Sequence, residues 1–148
     1  MCLRYLHSVS NASTKSSSVH TSHPTSHSAK TDILFQKLCL RQNSISSIEL
    51  PESLATTLQD LELYDNLISH IKGLDSFTEL RSLDLSYNKI KHIKRIDHLK
   101  NLDHLYFVQN KISRIEGLDG LSNLTYLELG ANRIRVLVVH LLVESDVN

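Results

Sequence analysis

Residues 83–90 read Leu-Asp-Leu-Ser-Tyr-Asn-Lys-Ile, and the same frame, Leu-x-Leu-x-x-Asn-x-Ile, recurs at 38–45, 61–68, 105–112 and 127–134. Phe107 stands for the second leucine of the fourth copy. The frame brings Asn43, Asn66, Asn88, Asn110 and Asn132 round at intervals of 23, 22, 22 and 22 residues. A fixed period of this length implies stacked coils, each touching its neighbours, in place of one globular core.

Working outward, one full unit runs Leu80, Leu83, Leu85, Asn88, Ile90, Ile93, Ile96, Leu99. The fourth unit (Leu102 to Leu121) and the second (Leu58 to Phe77) repeat it. The first, from Phe35 to Ile48, is looser and carries one extra residue near Pro51. Two periods coexist in a unit. Leu-x-Leu has period two, which is a short strand with both leucines inward. The Ile-xx-Ile-xx-Leu-xx-Leu run has period three, which suits a 3₁₀ or irregular turn. Strand then turn, repeated, predicts an α/β solenoid. This is the leucine-rich-repeat horseshoe, with short parallel strands on its concave face and 3₁₀ or irregular turns on its convex face.

The asparagine falls where the chain leaves the strand and bends inward. Its amide has two donors and an acceptor, enough to satisfy backbone groups that the turn leaves unpaired. Asn43, Asn66, Asn88, Asn110 and Asn132 are therefore expected to form a structural ladder along the coils, not to be ligand contacts.

Three segments follow. Residues 1–30 are rich in Ser, Thr and His and poor in aliphatics, so a disordered tail is expected there. Its His20, His23 and His27 have no acidic or Cys companions to set a metal geometry. Residues 31–135 carry about five repeats, and residues 136–148 form an atypical apolar C-terminal tail containing VLVVHLLV. That tail resembles neither a further coil nor a polar cap, and the chain reads as the front of a longer array. Formal net charge is zero, so no overall basic field argues for nucleic acid. No apolar run is long enough for a transmembrane helix or a secretory signal, so no membrane partner is expected. The two cysteines, Cys2 and Cys39, are expected to stay reduced, which favours a reducing compartment.

The positions between the strand leucines face the concave side. The central row is Cys39, Glu62, Asp84, Tyr106, Glu128. Beside it run Arg41, Tyr64, Ser86, Val108, Gly130 and then Gln42, Asp65, Tyr87, Gln109, Ala131. On the other side lie Lys37, Asp60, Ser82, His104, Tyr126. Tyr64, Tyr87, Tyr106 and Tyr126, four of the chain's five tyrosines, thus project from one face among carboxylates. Large rigid rings with a polar tip are what protein-binding surfaces use. The expected partner-binding set is Glu62, Tyr64, Asp84, Tyr87, Tyr106, Tyr126 and Glu128. Catalysis is not expected. Glu62 and Asp84 could mimic a carboxylate pair, but an open sheet has no water-excluded pocket to shift their titration. His92, His98 and His104 fall on different parts of the coil, so no metal and no cofactor are expected.

The ordered segments LCLRQN, LELYDN, LDLSYN, FVQNKISRIEGL and LELGANRIR, over roughly residues 35–135, resemble the protein phosphatase 1 regulatory subunit 7 family. The non-consensus pairs Arg41-Gln42, Tyr64-Asp65, Val108-Gln109 and Gly130-Ala131 carry the likeness beyond the generic repeat. The resemblance implies a monomeric, non-catalytic regulator of nucleus and cytoplasm that holds the phosphatase catalytic subunit on its concave face. The matching positions here are Asp84, Tyr106 and Glu128, with Glu62 extending the row. The family's array is longer, its N-terminal segment is acidic, and nothing in it matches VLVVHLLVESDVN. Weaker phosphatase binding is expected accordingly. The alternatives are a short structural adaptor of the same repeat class (spliceosomal, axonemal or tubulin-related) or a truncated fragment of the regulator.

Overall fold

The computed structural model describes residues 36–137; the backbone of 136 and 137 is described without their side chains. The expectations for residues 1–30, for Phe35 and for most of the C-terminal tail lie outside the described residues. Five three-residue strands form one parallel sheet: β1 (Lys37–Cys39), β2 (Asp60–Glu62), β3 (Ser82–Asp84), β4 (His104–Tyr106) and, after β5 (Arg114–Ile115), β6 (Tyr126–Glu128). Each pairs with its counterpart one coil on, in the order β1-β2-β3-β4-β6. On another side of the coil, β5 pairs in parallel with β7 (Val136–Leu137), so the first two residues assigned to the atypical tail continue the solenoid's backbone pairing.

The three inner strands β2, β3 and β4 bury their central leucine and turn their end residues outward, as a pleat of period two requires, while the central leucines of the outer strands, Leu38 and Leu127, are partly buried. Leu61, Leu83 and Leu105 are buried, and so are the next inward positions Leu63, Leu85 and Phe107. The turn side supplies the opposite wall. Ile68, Ile71, Leu74, Phe77 and Leu80 in one coil, and Ile90, Ile93, Ile96, Leu99 and Leu102 in the next, are all buried. Their spacing of three is made by tight turns in which an N–H donates three residues back. Phe77 N donates to Leu74 O at 3.0 Å, Leu99 N to Ile96 O at 2.9 Å, and Leu121 N to Leu118 O at 2.9 Å. The extra residue of the first coil is taken up by a 3₁₀ helix, Glu52–Leu54, entered through Pro51. Among the described residues there is no α-helix.

The bend after each strand has a conformational signature. Gln42, Asp65, Tyr87, Gln109 and Ala131, the residues just before the asparagines, all have φ between 54° and 57°. Such left-handed residues reverse the chain, at a steric cost of roughly 1–2 kcal/mol each for a side chain with Cβ. The asparagines hold the bend. Asn88 donates through Nδ2 to Leu63 O of the previous coil (3.0 Å) and to Leu85 O and Ser86 O of its own (both 3.1 Å). Its Oδ1 accepts from Ile68 N at 2.9 Å. Asn110 accepts from Ile90 N and donates to Leu85 O, both at 2.9 Å, and Asn66 and Asn132 repeat the pattern. Each amide therefore fastens its own coil to the one before it. Asn43 donates to Leu40 O and Arg41 O within its coil. No buried side-chain nitrogen or oxygen among the described residues lacks a partner.

A second left-handed position, seven residues after the asparagine, is Gly73 (φ 81°) and Gly117 (φ 71°). A Cβ on Gly73 would sit 2.2 Å from the Ile48 carbonyl oxygen of the previous coil, and one on Gly117 2.3 Å from Ile93 O. Arg95 takes the same place in the third coil with φ 63°.

Two expectations are corrected. The Cys39 sulfur is in a disulfide, so it cannot serve as evidence for a reducing compartment. Ser86 is not a solvent-facing member of its row. It is buried, and its hydroxyl oxygen accepts the Val108 N–H at 3.2 Å, which turns the short side chain back onto the neighbouring coil's backbone.

Candidate partner-binding face

The strand register assembles the concave face row by row. Cys39, Glu62, Asp84, Tyr106 and Glu128 lie opposite one another across the sheet, as do Lys37, Asp60, Ser82, His104 and Tyr126. Parallel neighbours stand about 4.8 Å apart, so side chains in a row touch. Tyr87 and Tyr126 are exposed, at 43% and 46% of their surface; Tyr64 and Tyr106 are half-buried by their neighbours.

Two clusters result. Toward the first coil, the Tyr64 and Tyr87 rings lie 4.7 Å apart between centroids. The Arg41 guanidinium stacks 4.5 Å above Tyr64. Glu62 is held by Lys37 Nζ at 2.7 Å and, more loosely, by Arg41 at 3.9 Å. Hydrogen bonding to Glu62, and then its charge, raise the Lys37 pKa. Being solvent-exposed, this pair adds roughly 0–1 kcal/mol of stability. Glu62 thus presents a carboxylate already neutralised within the chain.

Toward the last coil, Tyr106 and Tyr126 lie 5.3 Å apart, and the His104 ring sits 6.4 Å from Tyr106 and 5.8 Å from Tyr126. His104 is hydrogen-bonded to the Asp103 carboxylate. In register, Asp84 and Glu128 stand on either side of Tyr106. Asp84 Oδ1 accepts the Ser86 N–H at 2.9 Å, which fixes its carboxylate. Loss of water, then Tyr126, then Asp84 and Glu128 push the Tyr106 phenol above its ordinary pKa. Tyr64 moves the same way, first through loss of water and then through Tyr87. The phenols therefore stay neutral donors beside carboxylate acceptors.

The structure brings Tyr106, Tyr126, Asp84 and Glu128 into one patch and Glu62, Tyr64 and Tyr87 into another. Three contributors lie outside the partner-binding set expected from sequence: His104, Arg41 and Lys37. All three sit in the rows read from the repeat, but their ring and charge contacts depend on rotamers that no spacing specifies. An apolar cavity of about 520 Å³ lies at the first coil, lined by Leu38, Leu40, Ile45, Ile48, Pro51 and Leu54 among others, and includes none of these tyrosines. Among the described residues no three His, Cys, Asp or Glu side chains converge as metal ligands. No described helix is long and apolar enough to cross a membrane.

Comparison with known proteins agrees with the architecture. Residues 79–100 match the Leucine Rich Repeat family model, and residues 100–137 match the model for Leucine Rich repeats in two copies. Protein phosphatase 1 regulatory subunit SDS22 of Schizosaccharomyces pombe is 58% identical over 45 residues, which is 30% of this chain and 13% of that protein. Among solved structures, an internalin (inlF) from Listeria monocytogenes is 30% identical with a TM-score of 0.61, covering 68% of this chain and 30% of that one. Internalin C2 (inlC2) from the same organism is 27% identical with a TM-score of 0.51, covering 68% of this chain and 54% of the other.

Proposed function

We propose that this leucine-rich-repeat chain, whose repeats are similar to those of a protein phosphatase 1 regulatory subunit, is a non-catalytic scaffold that docks the phosphatase catalytic subunit on its concave face. The observation that carries the reading is the row Asp84, Tyr106, Glu128, with Tyr126 and His104 packed beside it. Rings held against one another lose little side-chain entropy on binding, and their hydroxyls sit among acceptors already in place. The flanking carboxylates suit a basic patch on the partner. The chain acts as a monomer in nucleus and cytoplasm under this reading and contributes no catalytic group.

The test is recovery of the phosphatase 1 catalytic subunit on the immobilised full chain. The double variant Tyr106→Ala with Asp84→Lys should lose it, while Lys111→Ala, outside the strand rows, should retain it. Equal recovery by the double variant, with its circular dichroism unchanged, refutes docking at this face.

A further inference from the structure

The chain's zero net charge hides a partition. Residues 89–95 of the third coil read Lys-Ile-Lys-His-Ile-Lys-Arg, and the isoleucines Ile90 and Ile93 are buried, so every cation of the run points outward. The sheet rows, by contrast, carry Asp60, Glu62, Asp65, Asp84 and Glu128 against Lys37 and Arg41. The cationic run borders a groove of about 460 Å³ lined by Ser69, His70, Ile71, Lys72, His92, Lys94 and Arg95. The second and third coils each contribute a lysine at the same register position, Lys72 and Lys94, one coil apart.

The polar contacts within the groove leave these two lysines over. Arg95 pairs with Asp75 at 3.2 Å, His92 Nδ1 with Glu116 Oε1 at 3.1 Å, and His70 Nδ1 with the Ser69 hydroxyl at 3.0 Å. Among the described residues neither Lys72 nor Lys94 has an ion pair or side-chain hydrogen bond. Lys72 and Lys94 both line the groove, the carboxylates beside it, Asp75 and Glu116, are engaged by Arg95 and His92, and an anion between like charges lowers their repulsion. The groove has no Phe, Tyr or Trp and Ile71 is its one aliphatic side chain, which favours a compact anion over an extended nucleic acid strand or an acyl chain. Its donors suit a compact, multiply charged oxyanion.

We propose that this groove binds a phosphate group, bridged by Lys72 and Lys94 with the Ser69 hydroxyl and the His70 and His92 rings around it. The phosphate is supplied either by a phosphorylated side chain of another protein or by a small free phosphate. The site stands apart from the strand rows and is independent of the concave-face reading.

The experiment is titration of the full chain with a labelled phosphoserine peptide, its unphosphorylated twin, pyrophosphate and single-stranded RNA, read by anisotropy or calorimetry at moderate ionic strength. At least one phosphate probe should saturate while the unphosphorylated peptide does not. Lys72→Glu with Lys94→Glu should weaken that binding at least tenfold, and the milder Lys72→Met with Lys94→Met should follow in the same direction. Lys111→Glu, a cation outside the groove, should stay within about twofold of wild type. Tight peptide binding displaced by pyrophosphate points to a phosphoprotein source; pyrophosphate binding alone points to a free phosphate. The proposal is overturned if no phosphate probe saturates or if Lys111→Glu costs as much as the groove variants. It is also overturned if RNA binds more tightly than either phosphate probe.

Discussion

At the residue scale, Asn88 shows how one side chain makes the repeat cohere. Its amide meets two carbonyls of its own coil, one of the previous coil and one N–H of the previous coil, all from a buried position. An alanine there strands those groups away from water. Asn88→Ala or Asn110→Ala should each lower unfolding free energy by about 1–3 kcal/mol, the usual consequence of unpaired buried polar groups. Urea unfolding with an unchanged m-value checks it. Asn132, which is less buried, should lose less. The asparagine's role was legible in its spacing. The left-handed residue before it was not, because the position holds Gln, Asp, Tyr, Gln and Ala in successive coils and no glycine marks the place.

At the element scale, a row of the sheet is the functional unit, since each side chain's surroundings are its counterparts one coil away. The sign of the alkaline response follows from this. Tyr64 and Tyr106 have folded-state pKa values raised above the ordinary 10.0, and Lys37 above 10.5. In each case the folded state favours the protonated form. The stabilisation is complete below the unfolded-chain values and disappears as pH rises past them through the folded ones. Urea midpoints compared at pH 8 and pH 11 should therefore fall for wild type. The fall should be smaller for Tyr64→Phe with Tyr106→Phe, which leaves Lys37 as the remaining contributor. An equal fall in the variant rules the phenols out as its source. The row memberships were readable from a period of two. The Arg41–Tyr64 stack and the His104 contacts with Tyr106 and Tyr126 were not, because ring packing depends on how neighbouring coils orient each other.

At the scale of the whole molecule, a solenoid distributes stability along its axis. The core is completely buried around Leu83, Leu85, Ile90 and Ile93, whereas Leu118, Leu124, Leu127, Leu129 and Ile134 are only partly buried. Neighbour-only packing lets coils with less buried surface open without the rest. Native-state hydrogen exchange should therefore be slowest for Leu83 and Leu85 and at least tenfold faster for Leu127 and Leu129. Uniform protection across these strands would show that the coils unfold as one unit. The two charge fields also belong to this scale. Acidic strand rows and a basic flank cancel in composition, so a formal net charge of zero concealed both.

The sequence alone determined the coil, its period, its inward leucines and the asparagine ladder. These are local and repetitive, and each is set by which residues water excludes or which backbone groups a turn leaves unpaired. Tertiary structure alone decided the rest: that Ser86 is buried, that Glu62 is neutralised by Lys37 and Arg41, that Cys39 is in a disulfide, and that Lys72 and Lys94 face one groove. These depend on side chains from different coils meeting in space. Pairwise contact across a stack is set by register, rotamer and charge, none of which a single unit contains.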